Sequence, residues 1–341
     1  MSVFVTGATG FLGQHVVKQL LDKDYTVIAA VRTDQKGDNL LRKFSDSRLS
    51  YVTTGDASRL DAYEDVFKNQ GKNIKHVIHC AFPLNPEATN YEKDILIPAR
   101  DSMKCLLDSI KKYASEYVEH IVMTSGVLTM IDLSKMNENS VTFNEDSWNP
   151  NTWESCQSDF LNAIGGAKMF AEKQGWKFYE DNKNTTNIKF TTIIPSYIFG
   201  PQTFDEDVQK NLNISNTVIN QAIHATRIED IAPLTSQCVH VSDVAKAHIL
   251  PLESEELTGK RLIVSTGNFN EQDILNYLNE DFPILKGKIP VGTPSKGIEN
   301  RSIGAVIDNS RTLSLLGFPL KSLRDCVDDT TVQVLKHEGR L

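Results

Sequence analysis

The sequence predicts an α/β fold with a doubly wound parallel sheet and a smaller, interleaved C-terminal lobe. Strand-like runs alternate with helical segments through the first 200 residues. The runs are β-branched and apolar on both faces, which is typical of strands buried between two helical layers. A glycine-rich turn joins the first run to the first helix. Parallel strands joined by right-handed crossover helices make this a Rossmann-like pattern.

The predicted elements follow in chain order. SVFVTG, at residues 2–7, leads to a helix over residues 11–21. The next predicted strands are TVIAAVR, LSYVTTGDAS, KHVIHCAFP, HIVMTSG and KFTTIIPSYIFGP, with long helices over residues 98–112 and around Lys168. Beyond Gly200 the elements are shorter, and VHVSDVAKAH predicts a strand end followed by a helix that Asp243 caps.

Composition and charge exclude several classes of function. The 341 residues are 40% hydrophobic and carry a net charge of -8, which does not attract nucleic acid. No apolar run approaches the roughly 20 residues that span a bilayer, so no membrane partner is expected. The first strand starts too early for a signal peptide, and five scattered cysteines suit a reducing compartment. We expect a cytoplasmic protein without a metal site.

The turn VTGATGFLGQHVV predicts a dinucleotide cofactor. It places Gly7, Gly10 and Gly13 between the first strand and its helix. The first glycine permits a tight turn, the second lets backbone approach a pyrophosphate, and the third lets the helix pack on the strand. The N-terminus of the helix offers free N–H groups to the phosphates.

The second and third strand ends indicate which dinucleotide binds. Arg32 stands where an NAD site usually has an acidic residue, and its guanidinium suits a 2′-phosphate, which favours NADP(H). Lys36 is a second candidate contact, although its position favours a solvated surface lysine, and Asp34 keeps NAD open as an alternative. Asp56 either accepts from the adenine amino group or caps the next helix. We expect residues 1–200, with about 231–252, to form the cofactor domain, and 201–230 with 253–341 to form a substrate lobe.

Several motifs together resemble the extended short-chain dehydrogenase/reductase family. They are the glycine turn, Arg32, GDAS, HCAFP, VMTSG, Lys168 followed by KMFAEKQGWKF, PSYIFGPQ and HVSDVAKAH. FNEDSWNP and WESCQSD narrow the resemblance to the fungal NADPH-dependent methylglyoxal and 3-methylbutanal reductases. The residues and the resemblance together imply a cofactor site made of Gly7, Gly10, Phe11, Leu12, Gly13, Arg32, Lys36, Asp56, Ala81, Lys168 and Pro195.

The resemblance also implies a catalytic tetrad of Asn, Ser, Tyr and Lys. In such proteins the tyrosine protonates the carbonyl oxygen, the serine hydrogen-bonds that oxygen, and the lysine lowers the tyrosine pKa and holds the ribose hydroxyls. Of these four residues only Lys168 remains in this chain. Asp101 stands at the asparagine position, Gly126 at the serine position and Ile164 at the tyrosine position. A second match to the Tyr-Lys spacing, at residues 179–183, lies roughly 16 Å farther along the helix.

These replacements predict a cofactor-binding pseudoenzyme. A positioned acid contributes about 10²- to 10⁴-fold in rate, and a lost oxyanion donor costs on the order of another 10²- to 10³-fold. Ile164 and Gly126 supply neither group. Ser125 is expected to point away from the substrate, because successive side chains of a strand alternate in direction. Lys168, taken as a solvent-exposed ammonium with a pKa near 10.4, would be a poor acid.

Two alternatives stay open. An active aldehyde or ketone reductase would take its proton from Asp101, Ser125 or bound water. A regulatory or scaffold protein would instead bind an unidentified partner with an affinity that depends on NADP(H). Any substrate is expected to be a small carbonyl compound. The candidate cleft residues follow strand ends, although core packing explains each equally well; they are Phe82, Val127, Ile164, Tyr197 and Phe204.

Overall fold

The computed structural model describes residues 1–209, 212–301 and 303–341. Its strands are β1 Ser2–Thr6, β2 Thr26–Val31, β3 Leu49–Thr53, β4 Ile74–His79, β5 His120–Thr124, β6 Thr142–Phe143, β7 Lys189–Pro195, β8 Tyr197–Phe199, β9 Thr235–His240, β10 Arg261–Val264, β11 Gly267–Asn270 and β12 Val306–Ile307. Its α-helices are α1 Phe11–Asp22, α2 Asp34–Phe44, α3 Glu64–Gln70, α4 Ile97–Tyr113, α5 Phe160–Asn182, α6 Ile214–His224, α7 Val241–Glu253, α8 Glu271–Asp281, α9 Ser295–Arg301, α10 Ser310–Leu316 and α11 Leu323–His337. None of the helices in these ranges has the length and apolarity needed to cross a membrane.

The chain divides into two compact units, each assembled from three segments. The first unit comprises Met1–Met136, Phe143–Ile194 and Ala245–Ile263, and the second comprises Asn137–Thr142, Pro195–Val244 and Val264–Leu341. The division predicted from the sequence, 1–200 with 231–252 against 201–230 with 253–341, stays a prediction. Residues 210, 211 and 302 of those ranges lie outside the described residues.

The first unit contains a seven-stranded sheet in the order β10-β7-β5-β4-β1-β2-β3. Each neighbouring pair from β7 to β3 is parallel. The strand order reverses between β1 and β4, the position at which ligands bind in open sheets of this type. Beside β1, Phe4 is fully buried and meets the rings of Tyr63 and Phe67 edge to face. The predicted doubly wound α/β fold is confirmed.

The second unit has its own small sheet and its own core. Strand β9 pairs antiparallel with β11 and parallel with β8. The rings of Phe199 and Phe269 pack at 5.1 Å between centroids, and both side chains are fully buried. Apolar residues of α6, α8 and α11 complete this core.

Two local predictions were wrong. KFTTIIPSYIFGP was predicted as one strand, but the chain breaks at Ser196 into β7 and β8, which belong to different sheets. Asp243 was predicted to cap a helix, but α7 starts at Val241, directly after β9, so Asp243 lies within its first turn. Its carboxylate instead accepts a hydrogen bond from the backbone N–H of Lys321 at 2.7 Å.

A buried ion pair connects the first unit's β10 to α5. Nε of Arg261 donates to Oε1 of Glu172 at 2.7 Å, and the Glu172 side chain has no exposed surface. The guanidinium also donates to the carbonyl oxygens of Glu145 and Ser147, and lies 3.8 Å from the ring centroid of Trp148. Every face of this cation is therefore occupied by a partner from the same unit.

We expect Arg261→Ala to lower the free energy of unfolding by about 3–5 kcal/mol, because it leaves the buried Glu172 carboxylate unpaired. The loss should be smaller at about pH 5 than at neutral pH, since the orphaned carboxyl has a raised pKa and binds a proton. Urea unfolding of Lys177→Ala, which breaks the exposed Lys177–Asp181 pair, serves as the control and should cost about 0.5 kcal/mol or less. Equal losses for the two variants would contradict this account.

Candidate functional site

The glycine turn closes tightly between β1 and α1. Gly7 has a φ of +70°, and a Cβ there would lie 2.7 Å from the backbone nitrogen of Ala81. A Cβ on Gly13 would lie 2.0 Å from the Gly7 carbonyl oxygen, so only glycine allows the helix this close to the turn. Gly10 precedes α1 and offers no side-chain cap, and Leu12 is buried beneath the turn. The first-turn N–H groups of α1 are thus available to an anion.

A cavity of about 240 Å³ lies over this turn, within the first unit. It is lined by seven residues predicted from the sequence: Gly7, Gly10, Arg32, Lys36, Asp56, Ala81 and Phe82. Sequence reasoning missed other lining residues, among them Thr6, Thr9, Gly55, Tyr63 and Cys80. Gly55 carries a usable signal, because a glycine in the turn that follows a strand often has positive φ, here +68°.

The charged side chains that line the cavity at the end of β2 are cations. Arg32 and Lys36 are both exposed and both line it. The Asp34 carboxylate accepts a hydrogen bond from the Thr53 hydroxyl, and Asp34 is absent from the described lining residues. This arrangement suits an additional phosphate better than a ribose hydroxyl that needs an acceptor.

Asp56 closes the turn that follows β3. Its Oδ1 accepts from the backbone N–H of Ser58 at 2.9 Å and from the Ser58 hydroxyl at 2.8 Å. These hydrogen bonds, with the Arg32 charge as a smaller contribution, hold the pKa of Asp56 below its ordinary value. The alternative that Asp56 caps the next helix was wrong, because α3 begins at Glu64 with Tyr63 at its N-cap and no side-chain cap. Contact with an adenine stays a prediction.

Lys168 lies in the middle of α5, and its side chain has few polar contacts. Its Nζ donates to the carbonyl oxygen of Ser125 at 3.4 Å and lies 4.2 Å from the ring centroid of Phe82. Within residues 1–209, 212–301 and 303–341, no carboxylate forms an ion pair with it. Burial lowers the pKa of Lys168 to about 8. The expectation of a solvent-exposed ammonium with an ordinary pKa was wrong, because the side chain is partly enclosed.

The other three tetrad positions lie in the same unit. Ile164 precedes Lys168 by one turn of α5, so the two side chains share one face of the helix. Gly126 has extended backbone and precedes a 3₁₀ turn over Val127–Thr129. Asp101 lies on α4, where its Oδ1 accepts from Nε of Arg100 at 2.8 Å. None of these three side chains carries a neutral hydroxyl.

The Ser125 hydroxyl points into the buried network around Glu172. Its Oγ donates to Oε2 of Glu172 at 2.5 Å, and Ser125 is 1% exposed. Trp176 and Thr192 donate to the other oxygen of this carboxylate. Burial raises the pKa of Glu172, but the Arg261 charge and these hydrogen bonds outweigh burial and hold it below the ordinary value. This hydrogen bond engages the Ser125 hydroxyl within the protein, and the expectation that it points away from a substrate stays a prediction.

Two titratable groups at the end of β4 lie near Lys168. Burial lowers the pKa of His79 to about 4, and its Nδ1 hydrogen-bonds Oγ1 of Thr6 at 2.7 Å. Burial also raises the pKa of the Cys80 thiol to about 11. At neutral pH the histidine is therefore uncharged and the cysteine is a thiol, not a thiolate.

Two consecutive glycines let α5 approach its neighbours closely. A Cβ on Gly166 would lie 2.1 Å from Sγ of Cys156, and one on Gly165 would lie 3.2 Å from the carbonyl oxygen of Leu128. Each glycine costs about 1 kcal/mol within a helix relative to alanine. This packing explains the glycines between Ile164 and Lys168.

The remaining predicted residues divide between the two units. Phe82 contacts Lys168 in the first unit, and Tyr179 packs edge to face on Trp176 near the C-terminus of α5, far from Lys168 in sequence. Pro195, Tyr197 and Phe204 belong to the second unit. There Tyr197 packs against the core rings, 6.0 Å from Phe269. The roles predicted for these three residues stay predictions.

Several known reductases are similar to this chain over its whole length. The model of the NAD dependent epimerase/dehydratase family matches residues 3–129. The NADPH-dependent methylglyoxal reductase GRE2 of Saccharomyces cerevisiae is 47% identical, over 100% of both chains. The crystal structure of yeast methylglyoxal/isovaleraldehyde reductase Gre2 complexed with NADPH superposes over 100% of both chains, with a TM-score of 0.97. A structure of Gre2 from Candida albicans in complex with NADPH is 36% identical, covers 99% of both chains and has a TM-score of 0.95.

We expect the Lys168 amine to titrate with a midpoint near 8, because burial without an ion pair disfavours its cation. Carbon NMR of protein labelled at the lysine ε carbon measures this midpoint. The Lys168→Arg variant assigns the signal, which should be missing from its spectrum. A midpoint near 10.4, the ordinary lysine value, would show that the ammonium is solvated.

Proposed function

We propose that this chain, which belongs to the extended short-chain dehydrogenase/reductase family, binds NADP(H) and has little or no carbonyl reductase activity. Its lineage is that of the carbonyl reductases. The observation that carries the proposal is the isoleucine one helical turn before Lys168, at the position where the family resemblance places the proton donor.

The cofactor half of the proposal is supported by the turn and the cavity. The N-terminus of α1 has no side-chain cap, so its free N–H groups can bind the phosphates of a dinucleotide. Arg32 and Lys36 provide the charge that a 2′-phosphate requires, and Ala81 lies against the turn at Gly7. The Gre2 structures, similar over the whole chain, hold NADPH. In this proposal Lys168 contacts the ribose hydroxyls, for which it needs no tyrosine.

The catalytic half concerns the proton that must reach the carbonyl oxygen. A hydride arriving at a carbonyl carbon leaves negative charge on oxygen, which a positioned acid and a hydrogen-bond donor stabilise. Ile164 has no proton, Gly126 has no side chain, and the Ser125 hydroxyl is bound to Glu172. The carboxylate of Asp101 is engaged by Arg100, whose Nε donates to its Oδ1 at 2.8 Å.

Two proton sources remain for the active-reductase alternative. Bound water is one, as the sequence already suggested. The other is the Lys168 ammonium, which is a stronger acid than first expected because its pKa is about 8. In the proposal its N–H groups are engaged by the cofactor ribose and the Ser125 carbonyl, which leaves no proton directed at a substrate. The rate of carbonyl reduction distinguishes the inactive cofactor-binding protein from the active reductase.

With saturating NADPH, we expect methylglyoxal or 3-methylbutanal to be reduced at well below about 1 per second, the lower range of ordinary enzymes. NADPH binding, followed by cofactor fluorescence, should nonetheless be saturable. Ile164→Tyr combined with Gly126→Ser should raise the rate by about 10²-fold or more, because it returns the acid and the donor. The matched control, Ile164→Phe with Gly126→Ser, fills the same space without a phenol and should stay slow. Turnover above about 1 per second by the unmodified chain would overturn the catalytic half of the proposal.

We expect Arg32→Ala to weaken NADPH binding by about 10- to 100-fold and to leave NADH binding nearly unchanged, because a charged hydrogen bond to the 2′-phosphate is lost. Calorimetric titration with both cofactors measures this difference. Arg42→Ala removes a guanidinium that bonds Asn39 on the same helix, and it should not discriminate between the two cofactors. An equal loss for NADH and NADPH would place Arg32 outside the phosphate site.

A further inference from the structure

Lys168 has the surroundings of a nucleophilic amine rather than those of a charged anchor. Ile164 shares its helix face, and the Phe82 ring lies 4.2 Å from its Nζ. Among the described residues, its Nζ donates to the backbone carbonyl of Ser125 at 3.4 Å, which is long for an ammonium donor. A half-buried cation without a carboxylate partner is destabilised relative to the neutral amine.

The charged and titratable groups that face Lys168 do not restore its cation. Glu172 lies one turn farther along α5 and raises the pKa of Lys168, but its carboxylate is paired with Arg261 and burial of the ammonium outweighs its effect. On the side of β4, His79 and Cys80 are neutral at physiological pH. Burial therefore outweighs the charges of these neighbours and lowers the pKa of Lys168.

We propose that Lys168 is a covalent, reversible binding site for small aldehydes, which it captures as an imine through Nζ. The neutral amine attacks the carbonyl carbon, a C–N bond forms, and the oxygen takes up a proton to give a carbinolamine. Loss of this oxygen as water, with the second proton from nitrogen, leaves the C=N bond. No oxidant or reductant takes part, because the carbonyl carbon keeps its oxidation level. Lysines desolvated in apolar sites are the amines that undergo this reaction in proteins.

The replacement at position 164 makes the amine available. In the family resemblance a tyrosine phenol occupies the face of the lysine, whereas isoleucine cannot hydrogen-bond it. At a pKa of about 8, the neutral amine at pH 7.4 is about 200-fold more abundant than for an ordinary lysine. Cys80 competes poorly, because its thiol is protonated and its adducts with aldehydes carry no C=N bond to reduce.

The inference rests on the proposed function in one respect. If Lys168 contacts the ribose of NADP(H), the cofactor and the aldehyde compete for the same amine. Capture of the aldehyde then belongs to the cofactor-free protein, and NADP⁺ should protect Lys168. Protection tests the cofactor contact separately from capture itself.

The experiment is trapping of 3-methylbutanal with cyanoborohydride at pH 7.4, followed by intact mass and peptide mapping. We expect one reduced adduct at Lys168, formed about 10-fold or more faster than at the exposed Lys177 of the same helix. Lys168→Arg should remove this fast adduct and Lys177→Arg should retain it. Labelling spread over surface lysines with no preference for Lys168 would overturn the inference. Selective labelling that NADP⁺ does not prevent supports the inference and counts against the proposed cofactor contact.

A second pair of variants tests the cause. Ile164→Glu places a carboxylate four residues before Lys168, the favoured orientation for a helical ion pair, and should slow the adduct by about 10-fold or more. Ile164→Gln has the same shape without the charge and should leave the rate within about 3-fold of the unmodified chain. The pH at which trapping reaches half its maximal rate should rise in Ile164→Glu only. Equal rates for the two variants would show that the unpaired ammonium is not what makes Lys168 reactive, and would overturn the inference.

Discussion

The carboxylate of Glu172 is the constraint on which the organisation around α5 depends. It has no exposed surface, and a buried charge is tolerated only when it is paired and hydrogen-bonded. Arg261 supplies the charge, while Ser125, Trp176 and Thr192 supply the hydrogen bonds. These partners come from β10, from the residue that follows β5, from β7 and from the helix itself, so one carboxylate sets the approach of α5 to the sheet. It also accepts a hydrogen bond from the Ser125 hydroxyl, next to Gly126, where the family resemblance places a serine.

What remains around Lys168 is consequently apolar. The glycines at 165 and 166 have no side chains, which lets the backbone of α5 pack against Leu128 and Cys156. Ile164 and Phe82 then occupy the space beside the ammonium, and no carboxylate reaches it within the described part of the chain. The lowered pKa of Lys168 follows from this geometry, because burial without compensation always favours the uncharged amine.

The sequence predicted most of what depends on local pattern. Residue type and order predict the alternation of strands and helices, the glycine turn at 7–13 and the cationic side chains at the end of β2. Strand ends that depend on tertiary packing were missed. At Ser196 one apolar run divides into two strands that belong to different sheets. The Glu172–Arg261 pair joins residues 89 positions apart, and no periodicity reveals such a contact. The wrong expectation for the Lys168 pKa has the same origin, since enclosure is a property of the fold rather than of the segment.

Loss of a proton donor and retention of a cofactor site are physically compatible, because the two depend on different free energies. Binding of a dinucleotide draws on the turn, the helix N-terminus and the cationic residues, which act equally on ground and transition states. A tyrosine acid acts chiefly where charge develops during hydride transfer, so removing it lowers the rate while leaving cofactor affinity in place. Its removal has a second effect, because the lysine that would have activated it keeps its apolar enclosure and loses its partner. Taken together, the two proposals assign to the replacement at position 164 both a weaker reduction and a more abundant neutral amine, and with it a different reaction with the same class of carbonyl compound.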